Sequence, residues 1–111
     1  MIKEVIRFRL GLGPQTDEFL SRYRQVRTAM KALGVEPGIA WTTVAGRRQL
    51  IVEREFDTLA SYEADDAAFH GGEEFMALWR KMESTAESME AEIWKTSATR
   101  DDLDTIRARR T

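Results

Sequence analysis

The chain has 111 residues, enough for one compact domain with a modest core. Its formal net charge of -2 gives no general attraction to nucleic acid or to anionic lipid, so we expect neither partner. The absence of cysteine excludes disulfides, thiolate metal sites and thiol nucleophiles. No apolar stretch approaches the roughly 20 residues of a membrane span, and we expect a cytoplasmic protein.

The first predicted element is a strand over residues 2–10, in which apolar residues alternate with residues that are mostly charged. One face carries Ile2, Ile6, Phe8 and Leu10, and the other carries Lys3, Val5, Arg7 and Arg9. Glycines and Pro14 then interrupt the pattern, and Thr16 or Asp17 is predicted to cap a helix that ends at Gly34.

The next two predicted strands form a β-hairpin. Residues 39–45 and 48–56 flank Gly46-Arg47, which is typical of a short turn containing glycine. The alternation in the first of these strands is ambiguous, so Trp41 can lie on either face of the sheet.

A second helical region is predicted to begin at Asp57 or Thr58 and to be divided by Gly71-Gly72. A fourth strand follows, since Met89, Ala91 and Ile93 alternate with Glu90, Glu92 and Trp94. We expect one domain over residues 1–96 and a polar tail or frayed helix over 97–111.

The order β-α-β-β-α-β predicts an α+β, ferredoxin-like fold, whose four-stranded antiparallel sheet has the strand order 4-1-3-2. The helices can cover only one face of this sheet. The apolar sets predicted to face the helices are Ile6 and Phe8, Leu50 and Val52, and Met89, Ala91 and Ile93. The other face would carry Val5, Arg7, Arg9, Ile51, Glu53, Glu55, Glu90, Glu92 and Trp94.

Two interpretations of that second face are open. Arginines of strand one lie between glutamates of strands three and four, which fits a solvated ladder of ion pairs. Val5, Ile51 and Trp94 are apolar, however, and a fully hydrated face has little use for them. They favour a face that another surface covers.

The segments LIVEREFDTLASYEA (50–64) and AFHGGEEFMALWRKM (68–82), together with the order of elements, resemble the dimeric α/β-barrel superfamily. The resemblance is to its NIPSNAP-like and antibiotic-biosynthesis-monooxygenase-like branches and covers residues 1 to about 95. It implies a homodimer in which two uncovered sheet faces pack together. The residues that it would bring into a shared pocket are Arg7, Arg9, Glu53, Glu92 and Trp94.

Proteins of this superfamily include cofactor-free oxygenases, heme-degrading monooxygenases and polyketide cyclases. Heme degradation is disfavoured, because the chain has no asparagine and Ala60 stands where that branch has a tryptophan. The cyclases use a tyrosine and a histidine from the second helical region, for which Tyr62 and His70 are the candidates here. Their spacing of eight residues separates them by roughly 12 Å along a helix.

His70 also has a structural interpretation. It precedes two glycines that can adopt left-handed conformations, and at a helix end it could bond the last free carbonyls. Glu73 and Glu74 suit the first turn of the following helix. One histidine without cysteine leaves only carboxylates as ligands, so we expect no metal and no cofactor.

We therefore expect a homodimer that binds a small aromatic or carbonyl-containing metabolite in a cavity between sheet and helices. If it is an enzyme, cofactor-independent oxygenation or cyclisation is the favoured chemistry. The catalytic candidates are Arg9, Glu53, His70 and Glu92, and the substrate-binding candidates are Arg7, Trp41, Tyr62 and Trp94. The alternative is a dimerisation or interaction domain without catalysis and without a substrate pocket.

Overall fold

The computed structural model describes residues 1–96, so the segment predicted as a tail, 97–111, lies outside the described residues. The elements follow the predicted order, with the second helical region divided in two. They are β1 (Ile2–Arg9), α1 (Pro14–Ala32), β2 (Ile39–Thr42), β3 (Gln49–Phe56), α2 (Leu59–His70), α3 (Glu73–Glu83) and β4 (Ser88–Lys95).

The four strands form one antiparallel sheet in the order β2-β3-β1-β4. This is the predicted ferredoxin-like arrangement, and the α+β fold class is confirmed. The register places Ile6 opposite Val52 on one side and Ala91 on the other, so these three side chains share a face of the sheet. The helices pack against this face.

An aromatic cluster joins the helices to the centre of the sheet. Phe8 of β1 is fully buried, and its ring centroid lies 5.0 Å from that of Phe19 in α1 and 5.9 Å from that of Trp79 in α3. Phe69 at the end of α2 packs edge-on against Trp79 at 4.9 Å. Tilted and edge-to-face rings at these distances add favourable geometry to apolar burial, so one cluster holds all three helices.

The prediction for the start of α1 was wrong. The helix begins at Pro14, Gly13 precedes it with φ 65°, and no side chain caps it. Thr16, one of the predicted caps, instead donates its hydroxyl to the carbonyl of Gly11. Proline has no backbone N–H that would need a partner, and its φ is already helical, so it can begin a helix without a cap.

The predicted end of α1 and the predicted start of α2 are confirmed. Gly34 has φ 71°, which allows the N–H of Val35 to bond the carbonyl of Met30 at 2.9 Å. Thr58 accepts a hydrogen bond from the N–H of Ser61 and caps α2.

The hairpin between β2 and β3 is confirmed, but its strands are shorter than predicted. β2 ends at Thr42, and residues 43–48 form a six-residue connection around Gly46. One further hydrogen bond runs from the N–H of Thr43 to the carbonyl of Gln49, and the ladder between β2 and β3 ends there. Val44 is fully exposed, so apolar burial does not hold this stretch against the sheet.

The helix-facing residues of β4 only partly meet the prediction. Met89 packs against the core, whereas Ala91 and Ile93 are exposed although they lie on the helix side of the sheet. β4 is an edge strand, and none of the described helices covers this part of it. Strand alternation therefore gave the correct face but overestimated its burial.

A buried ion-pair cluster around Arg54 was not predicted from the sequence. The Arg54 side chain is 2% exposed; its Nε donates to Glu4 at 2.7 Å and a terminal nitrogen donates to Asp65 at 2.5 Å. The same nitrogen donates to the backbone carbonyl of Glu36 at 3.2 Å. Arg54 of β3 is thereby tied to β1, to α2 and to the connection between α1 and β2.

The surroundings of Arg54 keep it charged. Burial alone would lower its pKa, but the hydrogen bonds and charges of Glu4 and Asp65 outweigh burial and raise the pKa above its ordinary value. The rings of Phe56 and Phe69 lie 5.4 and 5.7 Å from the guanidinium carbon and add cation–π contacts.

Replacing Arg54 by methionine should lower the free energy of unfolding by about 3–5 kcal/mol, because Glu4 and Asp65 would remain buried without their cation. Urea denaturation followed by circular dichroism measures the loss. Arg22→Met is the control, since Arg22 lies 3.9 Å from Glu18 in a surface pair that should contribute less than about 0.5 kcal/mol.

A double variant separates the missing cation from a simple packing defect. Glu4→Leu combined with Arg54→Met removes one of the uncompensated carboxylates, so it should unfold less easily than Arg54→Met alone. Equal or lower stability of the double variant would contradict the ion-pair explanation.

Candidate functional site

The face of the sheet opposite the helices, called the open face below, carries most of the predicted site residues. Trp41 of β2 lies opposite Ile51, and Ile51 lies opposite Arg7 of β1, so all three share this face. The position of Trp41, which the sequence left ambiguous, is thereby settled. Glu92 and Trp94 of β4 lie there too, opposite Val5 and Lys3 of β1.

Two ion pairs cross the open face diagonally. Lys3 lies 2.9 Å from Glu53 of β3, and Arg7 lies 2.5 Å from Glu92 of β4. In the strand register Val5 lies opposite Glu53 on one side and opposite Glu92 on the other, and it is only 7% exposed. The stems of the two cations flank Val5 along β1, which explains how an apolar residue is buried on a face that none of the described helices covers.

The apolar residues of the open face lie mainly at its two edges. Trp41 on β2 is 57% exposed and Trp94 on β4 is 56% exposed. Beside Trp94 a shallow depression of about 410 Å³ is lined by Lys3, Val5, Arg7, Ile51, Glu53 and Trp94. The face therefore combines a central stripe of ion pairs with an aromatic ring at each edge.

Arg9 is the exposed cation of this face. The register places it opposite Gln49 and Ser88 instead of glutamates. Within residues 1–96 its guanidinium takes part in no ion pair, unlike Lys3 and Arg7. Its charge is available to a ligand or to another protein surface.

Tyr62 and His70 lie on the other side of the sheet. Tyr62 of α2 packs edge-on against Phe56 of β3, with the two ring centroids 5.4 Å apart. Nε2 of His70 lies 3.3 Å from Asp66 one turn earlier on the same helix, and its side chain is 58% exposed. One ligand within a subunit could not contact both this pair and the open-face residues.

The structural interpretation of His70 needs correction in its detail. Gly71 and Gly72 have φ values of -79° and -107°, so neither is left-handed. In the described part of the chain, the His70 side chain contacts the carboxylate of Asp66 and bonds no free carbonyl of the last turn. His70 does end α2, as predicted.

The predicted cavity between sheet and helices does not contain the predicted residues. The aromatic cluster fills the centre of that space. Recesses remain at the rim of that space, one of about 210 Å³ where α1 begins beside the hairpin and one of about 470 Å³ beside Phe56 and Asp65. None of the eight site candidates lines either recess. The structure thus places the predicted residues and the predicted cavity apart.

Two other kinds of feature are absent from residues 1–96. These residues contain no group of three or more His, Asp or Glu side chains arranged to hold a metal ion. None of their helices is both long enough and apolar enough to cross a bilayer.

Structural comparison agrees with the resemblance drawn from the sequence. A NIPSNAP family protein from Agrobacterium tumefaciens superposes with a TM-score of 0.66 at 19% identity, covering 88% of each chain. A dimeric ferredoxin-like protein from an uncultured marine organism has a TM-score of 0.64 at 10% identity, covering 89% of this chain and 91% of that one. SnoaB, a cofactor-independent oxygenase from Streptomyces nogalater, has a TM-score of 0.61 at 13% identity, covering 89% and 95%.

The fold is that of NIPSNAP-like proteins. No family model and no curated protein matches the sequence, and identities this low establish the fold alone. Two of the solved structures with this fold, the marine protein and one from Bacteroides fragilis, are described as dimeric.

The position of Tyr62 predicts how stability depends on pH at alkaline values. Burial, with the negative charge of Glu4 as a further cause, raises the pKa of Tyr62 above its ordinary value of 10.0. A raised pKa in the folded state contributes stability that is present below pH 10.0 and is lost as the pH rises through the folded-state pKa. The wild-type protein should therefore lose more stability above pH 10.0 than Tyr62→Phe, as measured by urea denaturation across that range. Parallel curves for the two proteins would contradict the assignment.

Proposed function

We propose that the chain forms a homodimer through its open face and that the paired faces enclose a binding chamber for a small aromatic or carbonyl-containing metabolite. The observation that carries this proposal is the exposure of Trp41 and Trp94 on the uncovered side of a sheet whose other side is covered by helices. Large apolar groups exposed on one continuous face typically mark an interaction surface.

The open face has the composition that an interface between two copies needs. Tryptophan buries about 150–250 Å² when covered, and stable interfaces take about 800 Å² from each partner. The central charges are already paired within a subunit, Lys3 with Glu53 and Arg7 with Glu92. A second copy could cover them without leaving a buried charge alone, which is the costly case.

A ligand would lie between the two faces, above the depression beside Trp94. The indole of Trp94 offers a surface on which an aromatic ring can stack. Arg7, which lines the depression, offers a guanidinium suited to an enolate or phenolate oxygen. Arg9 lies six residues along β1 from Lys3, the neighbour of Trp94, which is roughly 20 Å and too far for the same small ligand. The depression in one subunit has about 410 Å³, within the range of small-molecule sites.

The chemistry we propose is proton abstraction from an acidic aromatic substrate followed by oxygenation. Glu53 or Glu92 would accept the proton, and Arg7 would stabilise the oxyanion that forms. The substrate itself would supply the electrons. One oxygen atom of O₂ would convert a CH₂ group to a carbonyl, and the other would leave as water with the two hydrogens. The similarity to SnoaB supports this class of reaction, and cyclisation would use the same proton abstraction without O₂.

Tyr62 and His70 stand outside this chamber, because both lie on the helix side of the sheet. The alternative function, a dimerisation domain without a pocket, makes the same interface but fills it with side chains. Interior volume and ligand binding distinguish the two functions.

Ile51→Glu should convert the dimer to a monomer, because it places a charge in the middle of the proposed interface. Sedimentation velocity at micromolar concentration gives the oligomeric state. The matched control is Leu59→Glu, since Leu59 is 50% exposed at the start of α2 on the helix side, and this variant should remain dimeric. A monomeric wild type would refute the proposed assembly.

Binding can be tested with 2-hydroxy-1,4-naphthoquinone, an acidic aromatic carbonyl compound. It should quench tryptophan fluorescence on titration, and Arg7→Gln should weaken binding about tenfold by removing a charge-assisted hydrogen bond. Trp94→Leu should reduce both affinity and quenching, while Arg22→Gln on the outer surface of α1 should change neither. A dimer without quenching and without an internal cavity would favour the dimerisation domain.

A further inference from the structure

A second recessed site lies on the helix side of the sheet, where α1 begins beside the β2–β3 hairpin. We call it the threonine cleft. Its volume is about 210 Å³, and its lining includes the hydroxyl residues Thr16, Thr42 and Thr43. Leu10 at the end of β1 and Leu20 in α1 supply apolar surface, and Arg48 and Gln49 complete the lining. No residue proposed for the open-face chamber belongs to it.

We propose that the threonine cleft binds a short aliphatic carboxylate, with the carboxylate at Arg48 and the alkyl chain against Leu10 and Leu20. This site is separate from the proposed chamber and does not depend on it. The argument rests on the charge of the lining, on its free hydrogen-bond donors and on its size.

The lining is cationic. The described residues that line it include one guanidinium and no carboxylate. Arg47, the neighbouring residue in the hairpin, pairs with Glu87 at 3.4 Å, whereas Arg48 forms no ion pair within residues 1–96. An arginine beside a recess without a local counterion can give a carboxylate two parallel hydrogen bonds.

The three threonine hydroxyls of the cleft differ in whether they already donate a hydrogen bond within the protein. Thr16 donates to the carbonyl of Gly11, and Thr43 donates to the carbonyl of Gln49 at 3.4 Å. Among the described residues the hydroxyl of Thr42 has no such partner, so it can donate to a ligand. Arg48 and Thr42 therefore form the donor pair for a carboxylate, and Thr16 and Thr43 present acceptor lone pairs.

The apolar residues and the size restrict the rest of the ligand. Leu10 is buried and Leu20 packs against the core, so both surfaces are fixed in position. A volume of about 210 Å³ is below the range of roughly 300–1,000 Å³ for drug-sized ligands. The cleft suits a chain of a few carbon atoms. The N-terminal turn of α1 adds positive potential at the cleft, but the proposal does not depend on it.

The test is a titration with butyrate followed by the backbone amide resonances of the protein. Butyrate should shift the resonances of Thr16, Thr42, Thr43 and Arg48, with a dissociation constant of roughly millimolar, as expected for so small a ligand. Butyramide has nearly the same shape without the charge and should bind more weakly. Inorganic phosphate has the charge without the alkyl chain and should also bind more weakly.

Two variants identify the groups that bind. Arg48→Met should weaken butyrate binding about tenfold, and Thr42→Val should weaken it several-fold while Thr42→Ser retains it. Arg48 and Thr42 are exposed, so these changes should leave the fold intact, which an unchanged pattern of the other resonances would verify. Arg22→Met is the control and should bind as the wild type does.

Several results would overturn the proposal. Butyrate could shift Lys3, Arg7 and Arg9 in place of the cleft residues, which would assign the anion to the open face. Equal binding of butyramide would remove the role of charge, and equal binding of phosphate would remove the role of the leucines. Unchanged affinity in Arg48→Met would likewise refute the assignment. None of these outcomes bears on whether the open faces pair.

Discussion

The arginine buried at position 54 is the constraint on which the arrangement of this small domain depends. Its guanidinium is 2% exposed and bonds to Glu4 of β1, to Asp65 of α2 and to the carbonyl of Glu36. A charge in that position is tolerated only while its partners are in place, because an unpaired buried ion is far costlier than the pair is favourable. The cluster therefore specifies where α2 sits on the sheet more than it adds net stability. The aromatic cluster places α1 and α3 on the same side as α2, so within residues 1–96 all helices lie on one side of the sheet and the other side is open.

The open face follows from that asymmetry. The charges at its centre are paired diagonally across strands, and Val5 is buried beneath the aliphatic stems of Lys3 and Arg7. The exposed apolar surface lies at the two edges, with Ile39 and Trp41 on β2 and Trp94 on β4. The central stripe can be hydrated in a single subunit and covered in a pair without breaking its ion pairs. The same chemistry suits an aromatic ligand between two copies.

Strand periodicity predicted most of this architecture. The alternation in β1 assigned Arg7 and Phe8 to opposite faces, and the register confirms it. The predicted helix end at Gly34 and the predicted cap at Thr58 are also confirmed, because each depends only on that residue's own backbone or hydroxyl. The cap at Thr16 failed because Pro14 opens the helix two residues earlier. The Arg54 cluster was not predicted, because neither Glu4 nor Arg54 was assigned to a face of the sheet from the sequence. A signal existed, since Glu4 and Arg54 have the strand parity of their buried neighbours and stand opposite each other in the register.

The sequence by itself determined the kind of each element, the order of elements and the side of its own strand on which each residue lies. Those properties depend on neighbours a few positions away, through the periods of helix and strand. Only the tertiary structure decided that Trp41 joins the open face and that Tyr62 and His70 lie on the opposite side from Arg9, Glu53 and Glu92. It also decided that a threonine-lined cleft remains beside α1. These outcomes depend on strand register and helix docking between distant segments, and local periodicity carries no information about which faces of separate elements meet.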